Sequence, residues 1–209
     1  MKMRVFRYFG GFLEAQEKWL NKMAEQGYRL ARTTSLMYEF DLCAPSQYEY
    51  QIEFIADKDQ SYVRDYRSFL EEMGYRTFTK NINLNFSIGK LRWRPWAKGT
   101  AQIATNPGSY NQELLIVERE RDGKLTSLHT GQDAEAVAVY IKKLRNTNFN
   151  YGLILALGCL LSIFMSDSKA AAILLGALSV FFFIQAVFFA LALRHANNKK
   201  DKAENMENV

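Results

Sequence analysis

Apolar and polar residues alternate strictly over residues 47–54. Tyr48, Tyr50, Ile52 and Phe54 share one side, and Gln47, Glu49, Gln51 and Glu53 the other, so the pattern predicts a strand with one core face and one wet face. Leu36, Tyr38, Phe40 and Leu42 alternate with Glu39 and Asp41 in the same way, and Met3 to Phe9 and Tyr28 to Thr34 predict two further strands. Elsewhere the period changes to 3.6. Leu13, Leu20, Met23 and Ala24, with Glu14, Glu17, Lys18 and Lys22 between them, predict an amphipathic helix stopped by Gly27. Tyr62, Tyr66, Phe69, Leu70 and Met73 predict the apolar stripe of a second helix stopped by Gly74. Tyr75 to Ile88 is expected as one long strand region, with Phe78, Ile82, Leu84, Phe86 and Ile88 inward. Glu113 to Arg121 and Lys124 to His129 are expected to pair about Asp122-Gly123, and Gln132 to Arg145 forms a helix with Val137, Tyr140, Ile141 and Leu144 on one side.

Two short phrases resemble each other. Trp19-Leu20-Asn21-Lys22-Met23 followed by Gly27-Tyr28-Arg29 is echoed by Phe69-Leu70-Glu71-Glu72-Met73 followed by Gly74-Tyr75-Arg76, each a helix end passing into a strand. A strand-helix-strand unit used twice, with an additional strand between the helices, predicts an α+β ferredoxin-like sandwich, an antiparallel sheet with helices on one face.

The pattern changes again near residue 149. Phe149 to Met165 and Ala170 to Leu193 are continuous apolar runs, about 25 Å and about 36 Å long as helices, against a hydrocarbon core of about 30 Å. They predict a two-helix transmembrane hairpin. Lys142, Lys143 and Arg145 precede the first run and Arg194, Lys199, Lys200 and Lys202 follow the second, whereas the loop holds only Lys169 beside Asp167. That asymmetry predicts a multi-pass cell-membrane protein with both termini cytoplasmic. The expected divisions are 1–98, the ferredoxin-like cytoplasmic domain; 99–148, a hairpin and helix extension; 149–194, the membrane helices; and 195–209, a disordered cytoplasmic tail.

Composition adds little beyond this division. Of 209 residues 48% are hydrophobic and 23% charged, and 27 Lys and Arg against 22 Asp and Glu leave a net charge of +5, too small to imply direct nucleic-acid binding without a local patch. The two cysteines, Cys43 and Cys159, lie in segments of different kind and predict no disulfide, consistent with a reducing compartment for the polar domain. His129 and His195 have no neighbours at metal-ligand spacing, and no phosphate loop, dinucleotide fingerprint or nucleophile elbow is present, so no metal, cofactor or catalytic residue is expected. Two features remain as candidate interaction sites. Lys90 to Lys98 places Trp93 and Trp96 among four cations, including Arg92 and Arg94, and either lies on anionic lipid or packs its Trp into the domain. Gln185 is the one strongly polar side chain within the longer apolar run and suits a hydrogen bond to a neighbouring helix. Glu39, Asp41, Glu49 and Glu53 could converge on an open sheet face, the basis of an alternative in which the protein is a membrane-bound enzyme.

The stretch Glu17-Lys18-Trp19-Leu20-Asn21-Lys22-Met23-Ala24-Glu25-Gln26-Gly27-Tyr28-Arg29-Leu30, followed by Tyr38-Glu39-Phe40 and Gln47-Tyr48-Glu49-Tyr50, resembles a widespread bacterial family of unknown function, DUF2812. The resemblance covers roughly the first hundred residues. It implies a cytoplasmic domain often followed by paired membrane helices and encoded beside regulators of the PadR type. Leu91 to Trp96 departs from the family's shorter aromatic phrase, and the resemblance carries no catalytic residues. The expectation is a non-enzymatic, membrane-anchored signalling or binding module that contacts membrane lipid and a protein partner, with a transcriptional regulator as the candidate partner.

Overall fold

The computed structural model describes residues 2–56, 58–82, 86–88, 91–93, 103–104, 113–121, 133–165 and 169–207. They fall into two compact units, Met1–Asp133 and Ala134–Val209.

The first unit is α+β, and it builds one β-α-β-β module twice. In the first copy β1 (Met3–Phe6), α1 (Leu13–Glu25), β2 (Tyr28–Thr33) and β3 (Met37–Leu42) give an antiparallel sheet of order β1-β3-β2. In the second, β4 (Tyr48–Phe54), α2 (Gln60–Glu72), β5 (Arg76–Lys80) and β9 (Leu114–Glu120) give the same order, β4-β9-β5. A shift of 47 positions carries Leu13 onto Gln60 and Gly27 onto Gly74, and the two helices are each 13 residues long. Both glycines sit at positive φ, +83° and +85°, where a side chain would be strained, so each ends its helix in the left-handed conformation that reverses the chain into a strand. The echoed phrases are therefore corresponding helix ends. The strands expected of one ferredoxin-like sheet are shared between two three-stranded sheets, each completed by its own third strand.

Residues 81–113 are inserted before the last strand of the second module. They carry β6 (Phe86–Ile88), β7 (Leu91–Trp93) and β8 (Ile103–Ala104), a small separate sheet of order β6-β7-β8. The long strand expected over Tyr75 to Ile88 is thus broken after Lys80, where the Glu113 carboxylate accepts the Ile82 N–H at 2.6 Å and the Glu113 N–H donates to the Lys80 carbonyl. β9 pairs with β4 and β5 in place of the expected hairpin, whose second arm lies outside the described residues. As the central strand of its sheet, β9 belongs to the first unit and not to an extension beginning at 99.

Each helix covers a sheet face. Trp19 packs edge-on against Tyr38 and Phe40, over fully buried Leu20 and Leu30, each worth about 1.5 to 3 kcal/mol of burial. In the second module Ile55, Leu70, Leu115 and Val117 form the core with Val63, Tyr66 and Tyr75. This corrects two expectations. Tyr62, Phe69 and Met73 are more than half exposed, because the inward side of α2 is the one carrying Val63 and Leu70. Glu53, expected on a wet face, is buried and accepts a hydrogen bond from the Tyr66 hydroxyl at 2.9 Å, because α2 covers that face.

The second unit is an antiparallel helical hairpin, α3 (Asp133–Met165) and α4 (Lys169–Glu207). Ser179 donates to the Gly152 carbonyl at 2.9 Å, Gly152 lies against Phe183, and Tyr151 meets Phe182. Ala172, Ser179 and Ala186 are buried, so small residues line the contact. Both helices are long and apolar enough to cross a membrane. α3 runs without a break from the polar segment into the apolar one. α4 likewise continues to Glu207, so the tail expected to be disordered is helical: it lacks Pro and Gly and extends a helix already nucleated.

Candidate functional site

Both edges exposed where the two modules meet are capped by side chains. β4 is an edge strand, and its free backbone groups face α1. Asn21 donates to the Tyr50 carbonyl and accepts the Tyr50 N–H, both at 2.8 Å, and Glu17, one turn earlier, accepts the Ile52 N–H at 2.8 Å. Two polar residues at i and i+4 thereby imitate a neighbouring strand and close an edge that would otherwise pair with another chain.

The outer edge of β2 is closed from the other module. Tyr50, Glu118 and Arg76 stand in one row across the second sheet. The Tyr50 hydroxyl accepts the Leu30 N–H at 2.7 Å and donates to Glu118 at 2.8 Å. Glu118 also receives Arg29 through Nε at 2.9 Å and through Nη2 at 2.8 Å, and Arg29 lies 4.1 Å over the Tyr48 ring. Arg76 donates to the Leu30 and Ala31 carbonyls, and Lys80 to those of Thr34 and Ser35 at 2.5 and 2.6 Å. Burial, then the Glu118 charge, raises the Tyr50 hydroxyl well above its ordinary range, so it remains a donor. Burial pushes the Lys80 ammonium down to about 8, although the two carbonyls and the Tyr38 ring at 4.6 Å favour its charged form.

Beside the capped β4 edge is a cleft of about 280 Å³ lined by Glu17, Asn21, Glu25, Tyr48, Glu49, Tyr50, Gln51, Arg119 and Arg121. Glu49 and Arg119 form an ion pair on its wall. The cleft presents carboxylates and guanidinium groups together, which suits polar recognition, while Glu17 and Asn21 are committed to the strand edge.

The expected carboxylates do not converge. Glu39 is held by Lys2 and Arg4 on the first sheet, and the Lys2 hydrogen bond leads the effects that lower its pKa. Glu49 and Glu53 belong to the second sheet, with Arg119 and Tyr66 as partners. Among the described residues no group of His, Cys, Asp or Glu could hold a metal ion. Of the basic Trp-rich segment, Arg92 and Trp93 lie on β7, paired with Ser87 and Phe86 on one side and Ala104 and Ile103 on the other. Arg94 and Trp96 lie outside the described residues. Gln185 is half-buried on α4. Periodicity missed Asn21, Arg29, Glu118 and Lys80, since it reports which face a residue occupies and not which edge it caps. The matching Gly-Tyr-Arg triplets at 27–29 and 74–76 were the available signal for the two arginines.

A family model described as a protein of unknown function (DUF2812) matches residues 12–152. No curated protein and no solved structure matches the chain. The match spans more than half of the sequence, so the chain belongs to the DUF2812 family.

Proposed function

We propose that this DUF2812 protein is a membrane-anchored cytoplasmic binding module, in which the α3–α4 hairpin crosses the membrane and the first unit meets a protein partner. One observation carries the anchoring: the apolar side chains of the hairpin point outward. Ile154, Leu157, Phe164, Ile173 and Ile184 are among those more than half exposed, and only 11% and 28% of the apolar windows of α3 and α4 are buried. In water such a surface costs about 25 cal/mol for each Å², whereas in lipid it costs nothing. The Lys and Arg flanking the two apolar runs favour a cytoplasmic location for both ends.

Binding is favoured over catalysis because the charged groups of the first unit serve its own edges, as in the Arg29–Glu118 and Glu49–Arg119 pairs. The association of the family with PadR-type regulators, implied by the sequence resemblance, makes such a regulator the first partner to test. Fusions to a reporter active only outside the cytoplasm test the anchoring. Activity is expected after Ser166 and silence after Arg145 or Lys202, and the opposite pattern would overturn the cytoplasmic placement.

A further inference from the structure

α2 and its C-terminal cap residue Met73 carry a second apolar stripe, most of which the fold leaves uncovered. Tyr62, Phe69 and Met73 are 53%, 54% and 52% exposed, and with Tyr66, stacked on Tyr62 at 6.0 Å between centroids, they recur at spacings of 4, 3 and 4. That is the d-a-d-a order of a coiled-coil seam. The inward contacts belong to Val63 and Leu70 and are shared by Tyr66, which packs against the same core and donates its hydroxyl to Glu53, so the uncovered part of the stripe is Tyr62, Phe69 and Met73. Beside the seam, at g positions, stand Asp65 and Glu72, both exposed; Glu72 has no partner among the described residues, and Asp65 has only Arg64, at 3.5 Å.

The first module supplies an internal control. Shifted by 47 positions, the seam corresponds to Ala15, Trp19 and Lys22 of α1 and to Gln26 just past its end, where Trp19 is turned against Tyr38 and Phe40 and the others are small or polar. The module therefore folds without an outward apolar stripe, and the residues at 62, 69 and 73 need another explanation.

We propose that this face of α2 docks an amphipathic helix of another protein, with apolar residues at its a and d positions and Lys or Arg at the flanking e and g positions. The 4-3-4 spacing selects a helix over a strand, because only a helical partner presents knobs at matching intervals. The acidic g positions select the sign of its flanks and disfavour a second copy of this helix, which would bring like charges together. A seam of about three turns makes a small, transient interface. The inference rests on the binding-module reading and names its surface; it makes no use of the membrane topology.

The test uses the full chain in neutral-lipid nanodiscs and a labelled three-heptad peptide with Leu at a and d and Lys at e and g, read by fluorescence anisotropy against empty nanodiscs. The Lys peptide is expected to bind at least tenfold more tightly than the same peptide with Glu at e and g, and to weaken with salt. Asp65→Lys with Glu72→Lys should reverse the preference. Phe69→Gln should weaken binding at least tenfold while leaving the melting temperature unchanged. Equal binding of the two peptides, binding indifferent to Phe69→Gln, or self-association of the chain through Phe69 would each overturn the proposal. Lost peptide binding with the expected reporter pattern condemns this surface alone, whereas a reversed reporter pattern with retained peptide binding condemns the topology alone.

Discussion

Arg29 and Arg76 occupy the same position in the two modules, one residue after the Gly-Tyr that follows each helix, yet they have different partners. Arg29 reaches from the first module to the Glu118 carboxylate of the second, and Arg76 reaches back to the carbonyls of Leu30 and Ala31. The helices diverge further. α1 buries Leu20 and spends Glu17 and Asn21 on the edge of β4, whereas the equivalent positions of α2 are Arg67, Arg64 and Ser68, and its outward side is aromatic. Repetition of a module thus fixes the backbone, while the side chains at equivalent sites are free to specialise: α1 as a structural clamp, α2 with one side left for others.

The largest expected contrast lies in the helix cores. Leu20→Ala should destabilise the first unit by about 2 to 5 kcal/mol through the cavity left in a fully buried site, and Arg67→Ala at the equivalent position by under about 1 kcal/mol, both read by denaturant midpoints. Equal costs would dissolve the distinction between the helices. The two helix-ending glycines come next. Each loses about 1 to 2 kcal/mol on substitution by Ala from the left-handed backbone alone, but at Gly27 the new Cβ would also stand 2.9 Å from the Cys43 carbonyl oxygen, while at Gly74 nothing lies within 4 Å. Gly27→Ala should therefore be the more damaging of the two in thermal melts. Asn21→Ala, which strips the partners from both the N–H and the carbonyl of Tyr50, should cost about 1 to 3 kcal/mol, and Ser68→Ala on α2 almost nothing. If both are silent, α1 is not a clamp.

The smallest effect concerns Lys80, whose counterpart in the first module is Thr33. With its pKa lowered to about 8 from the ordinary 10.5, the unfolded chain binds more protons than the folded one between those values, so Lys80 makes stability rise with pH there. Above about pH 10 the trend is opposed, because Tyr8, Tyr38 and Tyr50 are held neutral by burial and ionise more readily on unfolding. Urea midpoints measured from pH 8 to about 10 should climb for the parent chain and flatten in Lys80→Met.

Local periodicity made the strands Met37–Leu42 and Tyr48–Phe54, the helix before Gly27 and the apolar hairpin legible, because each element declares itself within one or two turns of sequence. Pairing does not declare itself in that way. β9 joins β4 across 59 intervening residues, from Ile55 to Glu113, and nothing in its alternation names β4 and β5 as neighbours. The burial of Glu53 was equally hidden, since alternation divides a strand into two faces without saying that both are covered, and that of Glu39 comes from the Lys2 and Arg4 side chains on an otherwise exposed face. On α2 two apolar lines overlap, and the predicted stripe merged the inward Tyr66 and Leu70 with the outward Tyr62, Phe69 and Met73 while leaving out the inward Val63. The polar cleft and the capped edges rest on contacts between modules, which no local window contains.

The late arrival of β9 bears on how the chain is made. β4 and β5 share no hydrogen bonds with each other among the described residues, since the strand that joins them comes after the insertion at 81–113. On a ribosome, the first module is complete once residue 42 has emerged, whereas the second sheet must wait for residue 120. During that interval one edge of β4 already meets Glu17 and Asn21, and its other edge lies open to chaperones or to a neighbouring nascent chain. A ribosome-bound fragment ending before Leu114 should therefore resist protease over its first module and be cut between Tyr48 and Lys80, with protection spreading to that stretch only after Glu120 has cleared the exit tunnel.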